Sequence, residues 1–292
     1  MNRLLFSAAI AWTVFSAGAG TTNLNVGYCT DDPAAAKAAG FDYFELRVRE
    51  IAKMSDEDFA KFVARCEAVG LPARTGNLLF PGDLKVVGPD VRTNEVMSYA
   101  RKAFDRCAKL GVRIVVWGSG ESRRAPEGFS RDVAFEQLVA LARTLAPEAE
   151  KRGITLVVEP LRKAESNTIN SAAEGLKWVE AVGHPNFQLL VDLYHLTEEA
   201  EDPAILVKAG SHLRHVHFAN PHGRTFPRRD DGFDYAPFFL ALNRAGYQGA
   251  ISVEARTERV SVDGPAAIAL IRGGFAAAAR QVEKEKPTHP IP

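Results

Sequence analysis

A chain of 292 residues has room for one α/β barrel or for two small domains. Hydrophobic residues make up 46% and charged residues 25%, a balance that supports a sizeable core and excludes a disordered chain. The 36 basic residues offset the 36 acidic ones, so the formal net charge of +0 offers no general attraction to nucleic acid or to an anionic membrane.

The first element lies outside the expected fold. Arg3 is followed by an uncharged run from Leu4 to Gly20 that ends in Ala17, Gly18 and Ala19. A basic start, an apolar middle and small residues at the end read as a secretory signal peptide over residues 1–20. Ser7, Thr13 and Ser16 make the run a weak anchor, so no stable membrane insertion is expected. The reading implies export to the periplasm; a mis-assigned start would leave the protein cytoplasmic.

From there the chain alternates short apolar runs with longer amphipathic ones. In order, the spacing predicts a strand over Leu24–Tyr28, a short helix over Pro33–Ala39 and a strand over Tyr43–Val48. Asp32 is placed to cap that first helix, with Pro33 at its first position. Next come a helix over Asp56–Ala68, a strand over Pro72–Thr75, a helix over Glu95–Leu110 and a strand over Arg113–Trp117. A helix over Ala134–Lys151, a strand over Thr155–Glu159, a helix over Ala172–Val182 and a strand over Gln188–Asp192 follow. The series ends with a helix over Pro203–Ala209, a strand over Leu213–Phe218, a helix over Tyr235–Ala245, a strand over Ala250–Glu254 and a helix over Pro265–Val282. Gly70, Gly111, Gly153, Gly183 and Gly246 sit where left-handed helix ends are expected. The polar stretch Glu283–Pro292 reads as a tail, with the domain itself ending near residue 284.

Strict alternation argues for a parallel sheet, and eight units in this length argue for a single-domain (β/α)₈ TIM barrel over residues 21–284. No glycine-rich dinucleotide fingerprint follows the first strand, which weighs against a doubly wound sheet. Cys29, Cys66 and Cys107 show no paired spacing and read as small buried hydrophobes.

Strand side chains alternate between faces, so the apolar phase identifies the helix-facing set. Leu156 and Val158 face outward, leaving Val157 and Glu159 in the lumen. By the same count Leu190 and Asp192, His215 and His217, Ser252 and Glu254, and Glu45 all point inward. Four successive strands thus end with an inward acid or histidine at the mouth where barrel chemistry sits. Three carboxylates converging there repel one another unless a cation intervenes. Glu159, Asp192, His217 and Glu254 are therefore the expected ligands of one divalent ion. Oxygen-rich ligands with one imidazole suit Mn²⁺, Mg²⁺ or Co²⁺ at least as well as Zn²⁺. Glu45 is read as a pocket residue, with a satisfied lumen acid as the alternative. His215 is read as a hydrogen-bonded lumen residue. Arg123 and Arg124 are either anion-holding or surface arginines, and Trp117 and Phe80 either wall the pocket or pack the core.

The residues also carry a resemblance. The stretches Gly40–Leu46, Asn77–Pro81 with Gly82–Gly88, Gly118–Gly120, Val158–Leu161 with Glu165 and Asn170, Val191–His195, His215–His217 with Gly223 and Arg224, and Ser252–Glu254 occur in this order on successive strands. Together they resemble the xylose isomerase-like TIM barrel superfamily, in its sugar phosphate isomerase/epimerase branch. That resemblance implies that Glu159, Asp192, His217 and Glu254 are metal ligands and that Glu159 and Glu254 also act as acid and base. It implies substrate contacts from His195, Arg224 and Glu165; Asn170, in a matching stretch, and Glu45, read as inward from its strand phase, are added to the expected binding set. It also implies pairing of barrels as homodimers and a small carbohydrate as substrate. The expected reaction is isomerisation or epimerisation beside a carbonyl through a metal-stabilised enediolate. The alternatives are a lyase using the same metal on a keto-sugar, keto-glycoside or inosose, and a non-catalytic sugar-binding barrel. A DNA repair nuclease on this scaffold needs further histidines from the earlier strands, and no histidine precedes His184.

Overall fold

The computed structural model describes residues 24–285. The expected leader over residues 1–20, and the tail beyond Glu285, lie outside the described residues. Eight parallel strands close into one barrel in chain order, β1 to β8, so the single-domain (β/α)₈ architecture holds.

The strands are β1 (Val26–Cys29), β2 (Tyr43–Arg47), β3 (Ala73–Asn77), β4 (Ile114–Trp117), β5 (Thr155–Val158), β6 (Phe187–Asp192), β7 (Leu213–Phe218) and β8 (Ile251–Val253). Between them run α1 (Pro33–Ala38), α2 (Val48–Lys53), α3 (Asp56–Val69), α4 (Thr93–Lys109), α5 (Gly120–Arg123), α6 (Arg131–Glu150), α7 (Ala172–Val182), α8 (Leu193–Glu198), α9 (Ile205–Ala209), α10 (Ala236–Arg244) and α11 (Val260–Glu285). Each predicted element is present, with ends shifted by a few residues. Glu283–Glu285, read from sequence as tail, instead complete the last helix. Three short helices were not anticipated: α2, α5 and α8. Each spans only four to six residues and offers too little periodicity to register.

Local chemistry sets the helix ends. Asp32 accepts from the amides of Ala34 and Ala35, Ser55 from Asp58, and Ser171 from Glu174. The expected glycine stops all adopt positive φ, from 65° at Gly153 to 85° at Gly111. In α6, Ala134, Leu138, Leu141, Ala142 and Leu145 fall on one buried face at helical spacing. The last helix, α11, has the length and mean hydropathy (1.2) of a membrane span. Its apolar stripe of Ile268, Ile271 and Phe275 is nevertheless spent on the barrel, where α11 packs against α1, α10 and β1.

Two separate cores result. The large one lies between sheet and helices and holds Trp117, Trp178 and Phe187 in edge-on contact, with Trp117 and Trp178 centred 4.9 Å apart. The small one plugs the lumen with Val116, Val157 and Leu190. Val157 and Leu190 are the inward residues that the strand phase assigned. Above and beside this plug the lumen turns polar, and that polar layer forms the site.

Candidate metal centre and pocket

Glu159 follows the last residue of β5, Asp192 ends β6, His217 is the penultimate residue of β7, and Glu254 follows β8. Register brings Asp192 level with His217, and His217 level with Ser252. One ligand atom from each of Glu159, Asp192, His217 and Glu254 lies within 4.8 Å of the others. His217 Nδ1 is 3.1 Å from Glu159 Oε1 and 3.0 Å from Glu254 Oε2. Arg224 reaches in from the β7–α10 loop, its Nη2 2.9 Å from Asp192 Oδ2 and 2.5 Å from Glu254 Oε2.

The electrostatics fit a cation site. Burial pushes Asp192 up to about 7, against the pull of Arg224. Burial also raises Glu159, with His217 opposing and Glu254 adding to the rise. Burial works against the charge on Glu254 as well, yet Arg224 and His217 outweigh it and hold that carboxyl well below the usual range. Three acids share one guanidinium and one imidazole here. With all three ionised and the imidazole neutral, as a metal ligand must be, the cluster carries a net negative charge in a dry setting. Four donors of this type, oxygen-rich with one nitrogen, match a divalent ion. The residues present therefore fit the metal that the sequence implied.

An open cavity of about 310 Å³ leads down to this cluster, lined in part by Ser119, Arg124, Leu161, Glu165, His195 and Arg224. His195 stands on α8, and its Nδ1 accepts from the backbone N–H of Arg162 at 3.3 Å. Burial first, then Arg224, takes this imidazole down to about 2, so it is neutral and carries its hydrogen on Nε2. That Nε2 has no hydrogen-bond partner and lies 3.8–4.0 Å from Asp192, Glu159 and Glu165. It is a donor held ready for an oxygen in the pocket. Arg162 Nε pins Glu165 at 2.9 Å, placing its carboxylate on the pocket wall.

The structure places the other residues singled out in the sequence, several of which the sequence left open between two roles. Glu45 is fully buried and does not line the cavity; it is a satisfied lumen acid beneath His217, held by Thr75, Ser252, His215 and His217. Burial opposes its charge, but His217 and His215 hold the carboxyl well below the ordinary range. Asn170 does not line this cavity, although it borders a small neighbouring pocket with Asp192 and His195. Its Nδ2 donates to the carbonyls of Leu161 and Ser166, so it ties the β5–α7 loop together. Arg123 is wholly buried and clamps the ends of β4 and β5 through the carbonyls of Trp117 (3.1 Å) and Glu159 (2.7 Å). Arg124 is the one of the pair that reaches the pocket. Trp117 and Phe80 pack in the outer core.

One residue that touches the cluster was not singled out in the sequence. Asn77 ends β3, and its Nδ2 donates to Glu254 Oε1 at 2.9 Å. The strand phase carried it, because Asn77 shares the inward face with Thr75. Gly76 and Asn77 are turn-forming types, which hid the extension of β3 by two residues.

Comparisons with known proteins agree with the barrel fold. A family model described as xylose isomerase-like TIM barrel matches residues 33–276. The chain is 28% identical over 236 residues to an L-ribulose 3-epimerase of Mesorhizobium japonicum, covering 78% of this chain and 75% of the relative. It is 24% identical over 227 residues to a 3-dehydro-D-guloside 4-epimerase of Escherichia coli, covering 75% and 84%. The solved structure of a D-allulose 3-epimerase from Methylomonas sp. superposes with a TM-score of 0.70 at 26% identity, covering 90% of this chain and 97% of that one.

Proposed function

The chain belongs to the xylose isomerase-like TIM barrel family, and from that footing we propose that it is a divalent-metal-dependent epimerase or isomerase of a sugar or keto-sugar. The observation that carries the reading is the convergence of Glu159, Asp192, His217 and Glu254 within 4.8 Å at the foot of an open cavity. The sugar epimerases among its relatives support the same class.

Glu159, Asp192, His217 and Glu254 would hold the ion, with Mn²⁺, Mg²⁺, Co²⁺ and Zn²⁺ all compatible with the donor set. A divalent ion there supplies positive charge to offset the oxyanion that develops when a proton leaves the carbon beside a carbonyl. The protein's own part is proton transfer and orientation. Glu159 and Glu254 project from β5 and β8, and their surroundings bias them apart: burial raises Glu159, whereas Arg224 and His217 lower Glu254. Such a split suits a base that removes the C–H proton and an acid that returns one. His195 Nε2 donates to a substrate oxygen, and Arg224, ranged over the Tyr194 ring at 4.8 Å, orients a neighbouring one. Glu165, fixed by Arg162, accepts from a sugar hydroxyl.

Proton exchange tests the proposal. Metal-stripped protein is reloaded with Mn²⁺ in D₂O and offered ketoses, keto-glycosides and inososes; the ion is chelated before NMR. Deuterium entering beside the carbonyl with the skeleton retained supports the epimerase. Departure of a hydroxyl or glycosidic group replaces it with a lyase on the same site. Binding without any metal-dependent exchange replaces it with a non-catalytic sugar-binding barrel.

Export of the mature chain is part of the proposal. The basic start, the uncharged apolar run and the small residues Ala17, Gly18 and Ala19 support it. N-terminal sequencing of protein recovered from the periplasm tests it; a retained Met1 on cytoplasmic protein overturns it.

A further inference from the structure

Glu45 lies on β2, and its carboxylate gathers partners from the adjacent β3 and, across the lumen, from β7 and β8. Oε1 is 2.9 Å from His217 Nε2. Oε2 accepts from the Thr75 hydroxyl at 2.6 Å and the Ser252 hydroxyl at 2.6 Å, and lies 2.9 Å from His215 Nε2. Ser252 Oγ has spent its hydrogen on Glu45, so it accepts from the Tyr43 hydroxyl at 2.8 Å. A carboxylate encircled by four donors can only accept. Each neighbouring hydrogen therefore points at Glu45, including the one on His217 Nε2.

That settles what His217 can offer the site. The ring is fully buried, and its two nitrogens face opposite ways: Nε2 toward Glu45, Nδ1 toward Glu159 and Glu254. With Nε2 committed as a donor, Nδ1 is the nitrogen left to bind a cation. A carboxylate behind a ligating imidazole fixes its tautomer and makes it more basic. We propose that Glu45 is a positioning residue for the metal centre, holding His217 so that Nδ1 alone faces the gap among Glu159, Asp192 and Glu254. Thr75, Ser252 and His215 keep Glu45 in place, so the metal-facing layer rests on a second layer drawn from β2, β3, β7 and β8. The inference rests on the metal-site part of the reading above and is independent of which sugar reaction follows.

The test is Mn²⁺ affinity of the stripped full chain, measured by the EPR signal of free Mn²⁺, with the ¹⁵N spectrum of His217 in the diamagnetic Zn²⁺-loaded protein. Glu45→Gln keeps the shape and one acceptor but removes the charge. It is expected to weaken Mn²⁺ binding by about 10–100-fold, and Glu45→Asp to recover part of the loss. Thr75→Val removes one prop of Glu45 and leaves the His217 contact, so its effect is smaller. In the wild type, Nε2 is expected to be protonated and Nδ1 metal-bound. Wild-type affinity in Glu45→Gln overturns the proposal, as does an equal loss in Thr75→Val, which marks a packing role. If Glu45→Gln fails to fold, the wild-type spectrum decides, and a metal-bound Nε2 overturns the assignment. Wild-type protein that takes up no Mn²⁺ removes the metal site and this proposal together, whereas intact uptake without proton exchange removes only the epimerase.

Discussion

Glu159 is asked to serve both the metal and the proton. It is almost fully buried, its Oε1 touches His217 Nδ1, and its backbone carbonyl is gripped by Arg123. Glu159→Gln preserves volume and leaves the Arg123 clamp intact, because the clamp holds the main chain. The substitution should lower kcat by at least about 10²-fold, the lower end of what a positioned acid or base contributes. The melting temperature of the metal-free protein should hardly move or should rise, since a carboxyl that burial raises costs the fold something when charged. Turnover within threefold of wild type would remove Glu159 from the proton-transferring pair. At this scale the sequence was readable for the four donors because each lies on a strand whose apolar phase is unambiguous. Glu45 was harder, because its partners are 30 to 207 residues away and no local pattern names them. Arg123 was left open between an anion-holding and a surface arginine, because neither residue type nor spacing shows that it is buried against the carbonyls of Trp117 and Glu159.

At the scale of elements, the strand ends and the short helices above them do the aiming. Asp192 ends β6 and caps α8: its Oδ1 accepts from Tyr194 N–H at 2.9 Å, which leaves Oδ2 for the site. The same short helix lifts His195 to the pocket wall. These helices escaped the sequence reading, yet their capping residue and their histidine did not, since the chemistry was read from residue type and strand phase. Beyond β4 the chain must leave space for the acid of β5. A Cβ built on Gly118 would stand 2.2 Å from Glu159 Oε2, nearer than any real side chain approaches. Gly118→Ala should therefore push the Glu159 carboxylate aside with little damage to the barrel. A displacement of about 1 Å in a catalytic group can cost about 10²-fold in rate, and that is the loss expected in kcat, alongside weaker Mn²⁺ binding. Full activity in Gly118→Ala would show that Glu159 works from another rotamer than the one seen.

Across the whole molecule, closure of the barrel forces acids from three strands into one dry volume, and pH reports the cost. In the metal-free protein burial pushes Asp192 up to about 7, above its ordinary 3.8. Between these values the folded chain holds a proton that the unfolded chain has lost. The folded state is favoured where that proton is available, so this group's contribution to stability falls as pH rises from about 4 to about 7. Glu159, also raised, acts in the same direction. Glu254 and Glu45 act oppositely: they are held low, so what they contribute is present above the ordinary carboxylate range and is lost only in acid. A divalent ion must displace the protons on Asp192 and on Nδ1 of His217, which against burial is raised by Glu45 and Glu254, so its binding strengthens as pH rises. At a hundredfold excess over Kd a ligand stabilises by about 2.7 kcal/mol, or roughly 5–10 °C for a domain of this size. Thermal melts with chelator and with Mn²⁺, at pH 5.5 and pH 8, separate the effects. The Mn²⁺-induced rise should be several degrees larger at pH 8 than at pH 5.5, and Asp192→Asn should reduce that difference. What is left comes from the Nδ1 proton of His217, an imidazole that, against burial, Glu45 and Glu254 hold well above its ordinary range. Equal rises at both values would mean that the acids stay ionised without the metal, held by Arg224 and His217 alone, and the case for a cation as their missing partner would lapse.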